Sequence, residues 1–313
     1  MAASLNVPTP TLGGMQLWTD HRVRAGYRVQ RNRLTDHWRL LDSNDVRQAW
    51  GSREDVLHEY EASVAGSTSS RDMIVLLHGL IRTDRSMKSM QKALQEQCTG
   101  DVIRFGYAST QQTLADSARA LREVLDDYGP ETHFRFVGHS MGNIVVRHLV
   151  GDLQAAAEGE SMADEIVYGS ATKVRVAAKD LLSRCDAMVM LGPPNQGASI
   201  ARRLAKTGLF ESVVGPGAMQ LGPRWEEIEP NLATPPFPFA IVAGNFGDSI
   251  IANPLTDGPG DLVVSIDEAK LDGADVIHEV PIAHSILMDR DDVQRWTADW
   301  FNEQASRNHV HDD

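Results

Sequence analysis

Short apolar runs alternate with amphipathic stretches along most of the chain. The runs occupy residues 73–77, 102–107, 134–137, 187–191, 239–243 and 276–280. Helical spacing of apolar positions lies between and after them, at 86–97, 114–128, 141–153, 197–205 and 293–303. Continuous apolar runs are typical of strands that are buried on both faces. The pattern therefore predicts an α/β fold, a mostly parallel, doubly wound sheet with helices on both of its faces.

The first 70 residues follow a different pattern, which predicts a leader packed on or beside a body over 71–305. Through Ser52 this leader carries seven arginines against four aspartates, so it is basic. Its apolar residues recur at roughly helical spacing, which predicts an amphipathic helix. They are Val23, Tyr27, Leu34, Trp38 and Leu41. Two roles stay open, a binding arm or a basic helix docked on the acidic body.

The two ends of the main pattern carry further signals. Ser52 followed by Asp55 resembles a capping box and predicts a short helix over 56–60. Residues 306–313 are polar, and we expect them to form a flexible tail.

The charge and composition of the chain limit the classes of molecule that it is expected to bind. The chain has 313 residues, 42% of them apolar, and a formal net charge of −13, which disfavours nucleic acid and an anionic membrane surface. Residues 1–14 lack a cationic patch followed by an apolar core, and no apolar stretch has the length of a bilayer span. We expect a cytoplasmic protein without a stable membrane anchor. Cys98 and Cys185 are expected to be reduced thiols, with a single bridge left open.

A candidate nucleophile stands between a predicted strand and a predicted helix. The segment has the form G-x-S-x-G and consists of Gly138, His139, Ser140, Met141 and Gly142. Strand, sharp turn and helix are what a nucleophile elbow requires, since the glycines remove side chains that would collide there. The helix also directs its positive end at charge that develops during attack by Ser140.

A second segment, His78-Gly79-Leu80, follows the apolar run 73–77. It resembles the oxyanion loop of lipases, in which backbone N–H groups stabilise a tetrahedral intermediate. In this interpretation Leu80 and Met141 each donate a backbone N–H. His78 then supports the loop and is not the base.

A serine nucleophile needs a histidine, and that histidine needs a carboxylate. His278 lies within the predicted last strand, whereas His284 lies in the loop beyond it, which is where a catalytic histidine overhangs the elbow. We therefore predict His284 as the base. For the acid, Asp261 lies in the loop after the run 239–243 and before regular structure resumes, and Asp257 is the alternative.

Taken together, four segments of the body resemble bacterial lipases and related esterases of the α/β-hydrolase superfamily. They are 77–80, 138–142, 191–198 and 283–288. Two positions depart from the family pattern, with Asn195 in place of a histidine and Leu262 in place of a glycine after the acid. The resemblance implies the α/β-hydrolase fold and hydrolysis of a small-molecule or lipid ester through an acyl-enzyme. It requires no cofactor and no catalytic metal.

Two stretches, 155–179 and 198–236, break the alternation of strands and helices. The first is expected to be a surface insertion. The second carries apolar residues among glycines and prolines, and it predicts either a helical cap over the site or a packed excursion. As a cap it would place Phe210 and Trp225 in an acyl pocket.

Other activities stay open at this point. A thioesterase, an amidase and an acyltransferase use the same acyl-enzyme, and a binding protein on an inactive hydrolase scaffold is a fourth possibility. Acyl length and oligomeric state do not follow from the sequence.

Overall fold

The computed structural model describes residues 9–10, 15–68, 70–159, 170–205, 210–246 and 258–310. They contain two sheets, an antiparallel one near the N-terminus and a larger parallel one. Among the described helices, none is long and apolar enough to cross a membrane. Cys98 and Cys185 are both free thiols.

The N-terminal segment forms a five-stranded antiparallel sheet followed by one helix. Its elements are β1 (Thr9–Pro10), β2 (Trp18–Arg24), β3 (Tyr27–Asn32), β4 (Trp38–Leu41), β5 (Val46–Gly51) and α1 (Arg53–Val64). The strand order is β1-β5-β4-β3-β2. The helix predicted before residue 50 is therefore wrong. The predicted cap of α1 is confirmed, because the Ser52 hydroxyl accepts a hydrogen bond from the Asp55 backbone N–H.

The helical prediction failed because the two faces of this sheet are buried against different partners. Val29, Trp38 and Leu40 lie on one face, in an apolar cluster with Val56 of α1. Side chains of the other face, such as Arg28, are polar and buried against the rest of the molecule. The apolar residues that suggested a helix, Val23, Tyr27, Trp38 and Leu41, lie on three different strands and fall at helical spacing only along the chain.

The second sheet has six parallel strands. Its strands are β6 (Asp72–Leu77), β7 (Asp101–Phe105), β8 (His133–His139), β9 (Cys185–Leu191), β10 (Phe239–Gly244) and β11 (Val276–Val280). The order is β11-β10-β9-β8-β6-β7, with every neighbouring pair parallel. All six predicted strands are present, and the predicted fold class is confirmed.

Helices flank this sheet. Between β6 and β9 the described residues include α2 (Lys88–Gln97), α3 (Leu114–Asp126), α4 (Met141–Glu158) and α5 (Ala171–Ser183). The helices described after β9 are α6 (Ser199–Ala205), α7 (Phe210–Leu221), α8 (Trp225–Ile228), α9 (Ile266–Ala269) and α10 (Asp291–Val310). Of the surface insertion expected over 155–179, residues 160–169 lie outside the described residues. From 171 onward the expectation is wrong, because α5 packs on α4 and buries Val174 and Ala178.

Alternate side chains of β6 enter two separate apolar clusters. Val75 and Leu77 belong to the larger cluster, which includes residues of α3 and α4. Ile74 and Leu76 belong to the other, which includes residues of α2 and α10. Because both faces are apolar, the strand appears in the sequence as a continuous apolar run.

The segment 198–236 lies partly outside the described residues, at 206–209. Within α7 the chain kinks at Gly215, which has φ +73°, and a Cβ there would lie 1.6 Å from the carbonyl oxygen of Thr110. The second half of α7 is therefore packed directly on the loop that follows β7. A cap that moves at Gly215 would have to break this close backbone contact.

Candidate active site

Ser140 occupies a strained turn between β8 and α4. Its backbone has φ +54° and ψ −121°, a conformation that non-glycine residues rarely adopt. A Cβ at Gly138 would lie 2.3 Å from Asn143 Oδ1, and one at Gly142 would lie 2.7 Å from the Leu77 carbonyl oxygen. Only glycine fits at either position. The G-x-S-x-G spacing is thus a steric requirement of this turn.

The turn is held by hydrogen bonds to the neighbouring strand. The Ser140 N–H donates to the Leu191 carbonyl at 2.9 Å. The buried Asn143 amide donates to the carbonyls of Ser140, at 3.0 Å, and Leu191, at 3.3 Å. Asn143 was not predicted from the sequence as a support of the elbow. Its signal is a polar residue within the otherwise apolar start of α4.

Asp261 and His284 are in direct contact. His284 Nδ1 lies 2.6 Å from Asp261 Oδ2, and both side chains are buried. The backbone N–H of His284 also donates to the backbone carbonyl of Asp261 at 3.0 Å. Because the Nδ1–H of His284 donates to the Asp261 carboxylate, Nε2 of the ring is the nitrogen that can accept a proton.

The carboxylate of Asp261 is fixed by its own loop. Its Oδ1 accepts backbone N–H groups from Val263, at 3.0 Å, and Val264, at 2.7 Å. This tight loop places Leu262 at φ +80° and leaves its side chain exposed. Leu262 stands where the lipase pattern has glycine, and the left-handed backbone explains why glycine is favoured there.

Two contacts relate the Asp261–His284 pair to the elbow. Gly192 directly follows Leu191, the acceptor of the Ser140 N–H, and a Cβ on Gly192 would lie 2.9 Å from His284 Nδ1. His139 Nε2 donates to the His284 carbonyl at 2.9 Å. The structure thus brings Ser140, His284 and Asp261 to one end of the parallel sheet. Burial, the largest cause, and the neighbouring His284 hold the pKa of His139 well below its usual range.

The segment 78–80 passes directly beside the serine. A Cβ at Gly79 would lie 3.0 Å from Ser140 Cβ and 2.9 Å from His139 Nδ1, so glycine permits the close approach. Leu80 follows at once. Met141 is the first residue of α4, and N–H groups at this end of a helix have no intrahelical acceptor.

His78 is a buried, neutral support. Its Nδ1–H donates to the Gly79 carbonyl at 2.9 Å, its Nε2 accepts the Tyr107 N–H at 3.3 Å, and its ring stacks on Tyr107. Burial lowers the pKa of His78 to about 4.

The remaining sequence candidates lie elsewhere. His278 stacks on Trp296 of α10, with ring centroids 4.8 Å apart, and is not brought to Ser140. Asp257 and the side chain of Phe210 lie outside the described residues. Trp225 is buried in the larger apolar cluster. Its ring packs against Gly197, where an added Cβ would lie 3.0 Å from Trp225 Cδ2. The acyl-pocket role of Phe210 and Trp225 stays a prediction.

Asn195, which replaces the family histidine, has a supporting position that sequence analysis missed. It is buried, and its amide donates to the Ala269 carbonyl at 2.8 Å. The Arg147 guanidinium of α4 donates to both the carbonyl and the side-chain oxygen of Asn195, each at 3.1 Å. The loop after β9 is thereby tied to α4 and α9. Within the described ranges, no group of three or more potential metal ligands occurs.

Comparison with known proteins agrees with this architecture. Residues 67–175 match a family model described as "Putative serine esterase (DUF676)". The mature lipase BlEst2 of Bacillus licheniformis superposes with a TM-score of 0.51 at 15% identity, covering 69% of this chain and 86% of the lipase. The metagenomic carboxyl esterase MGS0156 has a TM-score of 0.48 at 14% identity, with 71% and 67% covered.

A third similar structure is phospholipase PlaB of Legionella pneumophila, with a TM-score of 0.41 at 18% identity; 64% of this chain and 45% of the phospholipase are covered. No protein with curated annotation matches significantly. The strand order and the likeness to BlEst2 show that the chain has the α/β-hydrolase fold, which confirms the fold that the sequence resemblance implies.

Proposed function

We propose that the protein is a serine hydrolase that cleaves carboxylic esters through an acyl-enzyme. The observation that carries this proposal is the convergence of the Ser140 elbow with the buried Asp261–His284 pair at one sheet end. The match of residues 67–175 to a serine esterase model supports it. An inactive scaffold would have no need to keep the strained Ser140 backbone together with this pair.

The reaction assigns one role to each group. Ser140 Oγ transfers its proton to His284 Nε2 and bonds to the ester carbonyl carbon. Asp261 holds the ring orientation and stabilises the imidazolium. The N–H groups of Leu80 and Met141 stabilise the oxyanion. When the tetrahedral intermediate collapses, the alcohol leaves and takes the proton from His284. Water then gives a proton to His284 and attacks the acyl-enzyme, and the acid is released as Ser140 Oγ takes that proton back.

The first test is covalent labelling with a fluorophosphonate, followed by mass spectrometry of the labelled peptide. We expect modification of Ser140, and Ser140→Ala should lower ester turnover by about three orders of magnitude or more. Ser285→Ala is the matched control, because Ser285 is an exposed serine next to His284. Labelling of another serine, or turnover by Ser140→Ala within tenfold of the parent, would contradict the assignment.

The leaving group is tested separately with p-nitrophenyl acetate, butyrate and octanoate beside matched thioester and anilide substrates. We expect the highest kcat/KM on the esters. A thioester or anilide preference would keep the acyl-enzyme and change the substrate class.

A further inference from the structure

The segment 78–84, which contains Leu80, has an unusual backbone for a loop that must hold an N–H in place. Ile81, directly after Leu80, has φ +60° and a side chain that is 53% exposed. A β-branched residue in this region persists only when its surroundings enforce it. Packing of the Ile81 side chain does not supply that restraint, so contacts to its backbone must do so.

The N-terminal segment supplies such a contact in the middle of the loop. Gln16 precedes β2, and its side-chain Nε2–H donates to the Ile81 carbonyl at 2.7 Å. The two residues are 65 positions apart in the chain.

A buried ion pair network from the antiparallel sheet holds the far end of the loop. Arg28 of β3 donates to Asp84 Oδ2 at 2.7 Å and forms a two-pronged pair with Asp20 of β2. Arg104 of β7 also contacts Asp84 Oδ2, at 2.9 Å. Asp84 and Arg28 are both buried, so neither has water as a substitute partner.

The start of the loop is held through an intermediary. Asp20 exchanges two hydrogen bonds with Gly106, since its N–H donates to the Gly106 carbonyl at 2.9 Å and its Oδ2 accepts the Gly106 N–H at 2.6 Å. The next residue, Tyr107, donates its N–H to His78 Nε2 and its hydroxyl to the His78 carbonyl, the latter at 2.5 Å.

On its other side the loop contacts the histidine segment. The Arg82 guanidinium donates to the Ser285 carbonyl at 2.8 Å, one residue from His284. The loop therefore lies between the antiparallel sheet and the residue proposed as the base.

We propose that the N-terminal segment positions the oxyanion segment 78–84, through Gln16 just before β2 and Arg28 within the antiparallel sheet. This inference rests on the proposed hydrolase function. It assigns a role to a part of the chain that lies wholly outside the matched range 67–175. Gln16 and Arg28 touch no reacting atom and act through the placement of the Leu80 N–H.

The decisive variant is Gln16→Ala, which removes an exposed hydrogen bond and leaves the buried network intact. We expect kcat to fall about fivefold with KM unchanged, since one hydrogen bond contributes roughly that factor. Gln48→Ala is the control, because the Gln48 side chain of β5 donates a hydrogen bond of the same length, 2.7 Å, to Asp42 in the turn before β5 and makes no hydrogen bond to the segment 78–84 among the described residues. Arg28→Lys, which keeps the charge and loses the fork, should have a larger effect in the same direction.

A second readout separates positioning from general support of the fold. The inhibition constant of a trifluoromethyl ketone, whose adduct carries an oxyanion, should rise by the factor by which kcat/KM falls. Ester binding to the same variants in a Ser140→Ala background should not change. Thermal unfolding measured by circular dichroism shows whether each variant is folded.

The outcomes are distinguishable. Equal losses in Gln16→Ala and Gln48→Ala, or a ketone inhibition constant that stays constant while kcat falls, would overturn the positioning role. Gln16→Ala with kcat and inhibition within 1.5-fold of the parent would overturn it as well, whether or not Arg28→Lys folds. If the parent itself neither hydrolyses esters nor labels at Ser140, the proposed function and this inference fail together.

Discussion

The two sheets of the molecule differ in what their buried faces contain. Parallel strand β6 directs apolar side chains to both faces, Ile74 to one cluster and Val75 to the other. Antiparallel strand β3 directs Val29 to an apolar cluster but Arg28 to a buried network with Asp20 and Asp84. Burial on both faces of the parallel sheet follows hydrophobicity, whereas burial on the Arg28 face of the antiparallel sheet depends on charge pairing across an interface.

This difference separates the roles of the sheets. The parallel sheet carries the proposed reacting groups at the ends of its strands, as open α/β sheets generally do. The antiparallel sheet contributes no reacting group among its described residues, and its polar face meets the segment beside the elbow. Four predictions test that division, from the largest expected effect to the smallest.

The largest effect is expected from the histidine proposed as the base. His284→Ala should lower kcat/KM by about three orders of magnitude or more, because Ser140 then lacks a proton acceptor. His278→Ala is the matched control on the neighbouring strand and should change kcat/KM less than threefold, since His278 stacks on Trp296 away from the site. Steady-state kinetics on one p-nitrophenyl ester checks both. If the two phenotypes are exchanged, the assignment of the base is wrong.

Replacing the proposed acid should have the next largest effect. Asp261→Asn keeps the size of the side chain but removes its charge and alters the tautomer of His284, so kcat should fall by roughly two to four orders of magnitude. Asp267→Asn is the control, since Asp267 is an exposed aspartate of α9 paired only with Lys270 on the surface. A mild effect at Asp261 would transfer the role to another carboxylate, and Asp257 would be tested next.

The contrast between the two sheets also explains which parts of the fold and of the site could be predicted from the sequence. Continuous apolar runs predicted the six parallel strands, because the buried side chains on both faces of that sheet are hydrophobic. The G-x-S-x-G segment predicted the turn between β8 and α4. The N-terminal strands were missed because their inward positions carry polar residues such as Arg28, which is buried through its pairs with Asp20 on the neighbouring strand and with Asp84, 56 positions away. Asn143 and Arg147 were missed for a related reason, since their carbonyl acceptors come from other segments.

Part of the acid sensitivity of the folded protein should come from His78, which lies where the oxyanion segment meets the loop carrying Tyr107; His139, whose pKa is also lowered by burial, adds to it in the same direction. Its folded pKa, about 4, is below its unfolded value near 6.5, so between these values only the unfolded chain takes up the proton. The stability contributed by neutral His78 is thus complete above about pH 6.5 and is lost as the pH falls toward 4. By pH 4.5 this loss is about 2–3 kcal/mol of unfolding free energy.

His78→Gln checks this prediction. The variant should be less stable than the parent at pH 7, because its contacts are altered, yet lose less unfolding free energy between pH 6.5 and 4.5. Urea unfolding at several pH values measures the slope, with His58→Gln as the control at an exposed histidine of α1. Equal pH slopes in the parent and His78→Gln would show that another group governs acid sensitivity.

The smallest effect tests whether the two faces of the antiparallel sheet act independently. Ser52 caps α1, and α1 covers the apolar face of the sheet through Val56 and Tyr60, on the side opposite Arg28. Ser52→Ala should therefore cost about 1 kcal/mol of unfolding free energy, because an N–H at the start of α1 loses its acceptor. Ser63→Ala is the control, since the Ser63 side chain lies in the last turn of the same helix and donates to the Glu59 carbonyl.

Urea unfolding and ester turnover are measured on the same samples. We expect Ser52→Ala to lower stability while kcat stays within twofold of the parent, since loosening the outer face leaves the contacts of Arg28 and Gln16 in place. A fall in kcat that tracks the loss of stability would show that the sheet supports the oxyanion segment as one unit, and the separation of its two faces would then be wrong.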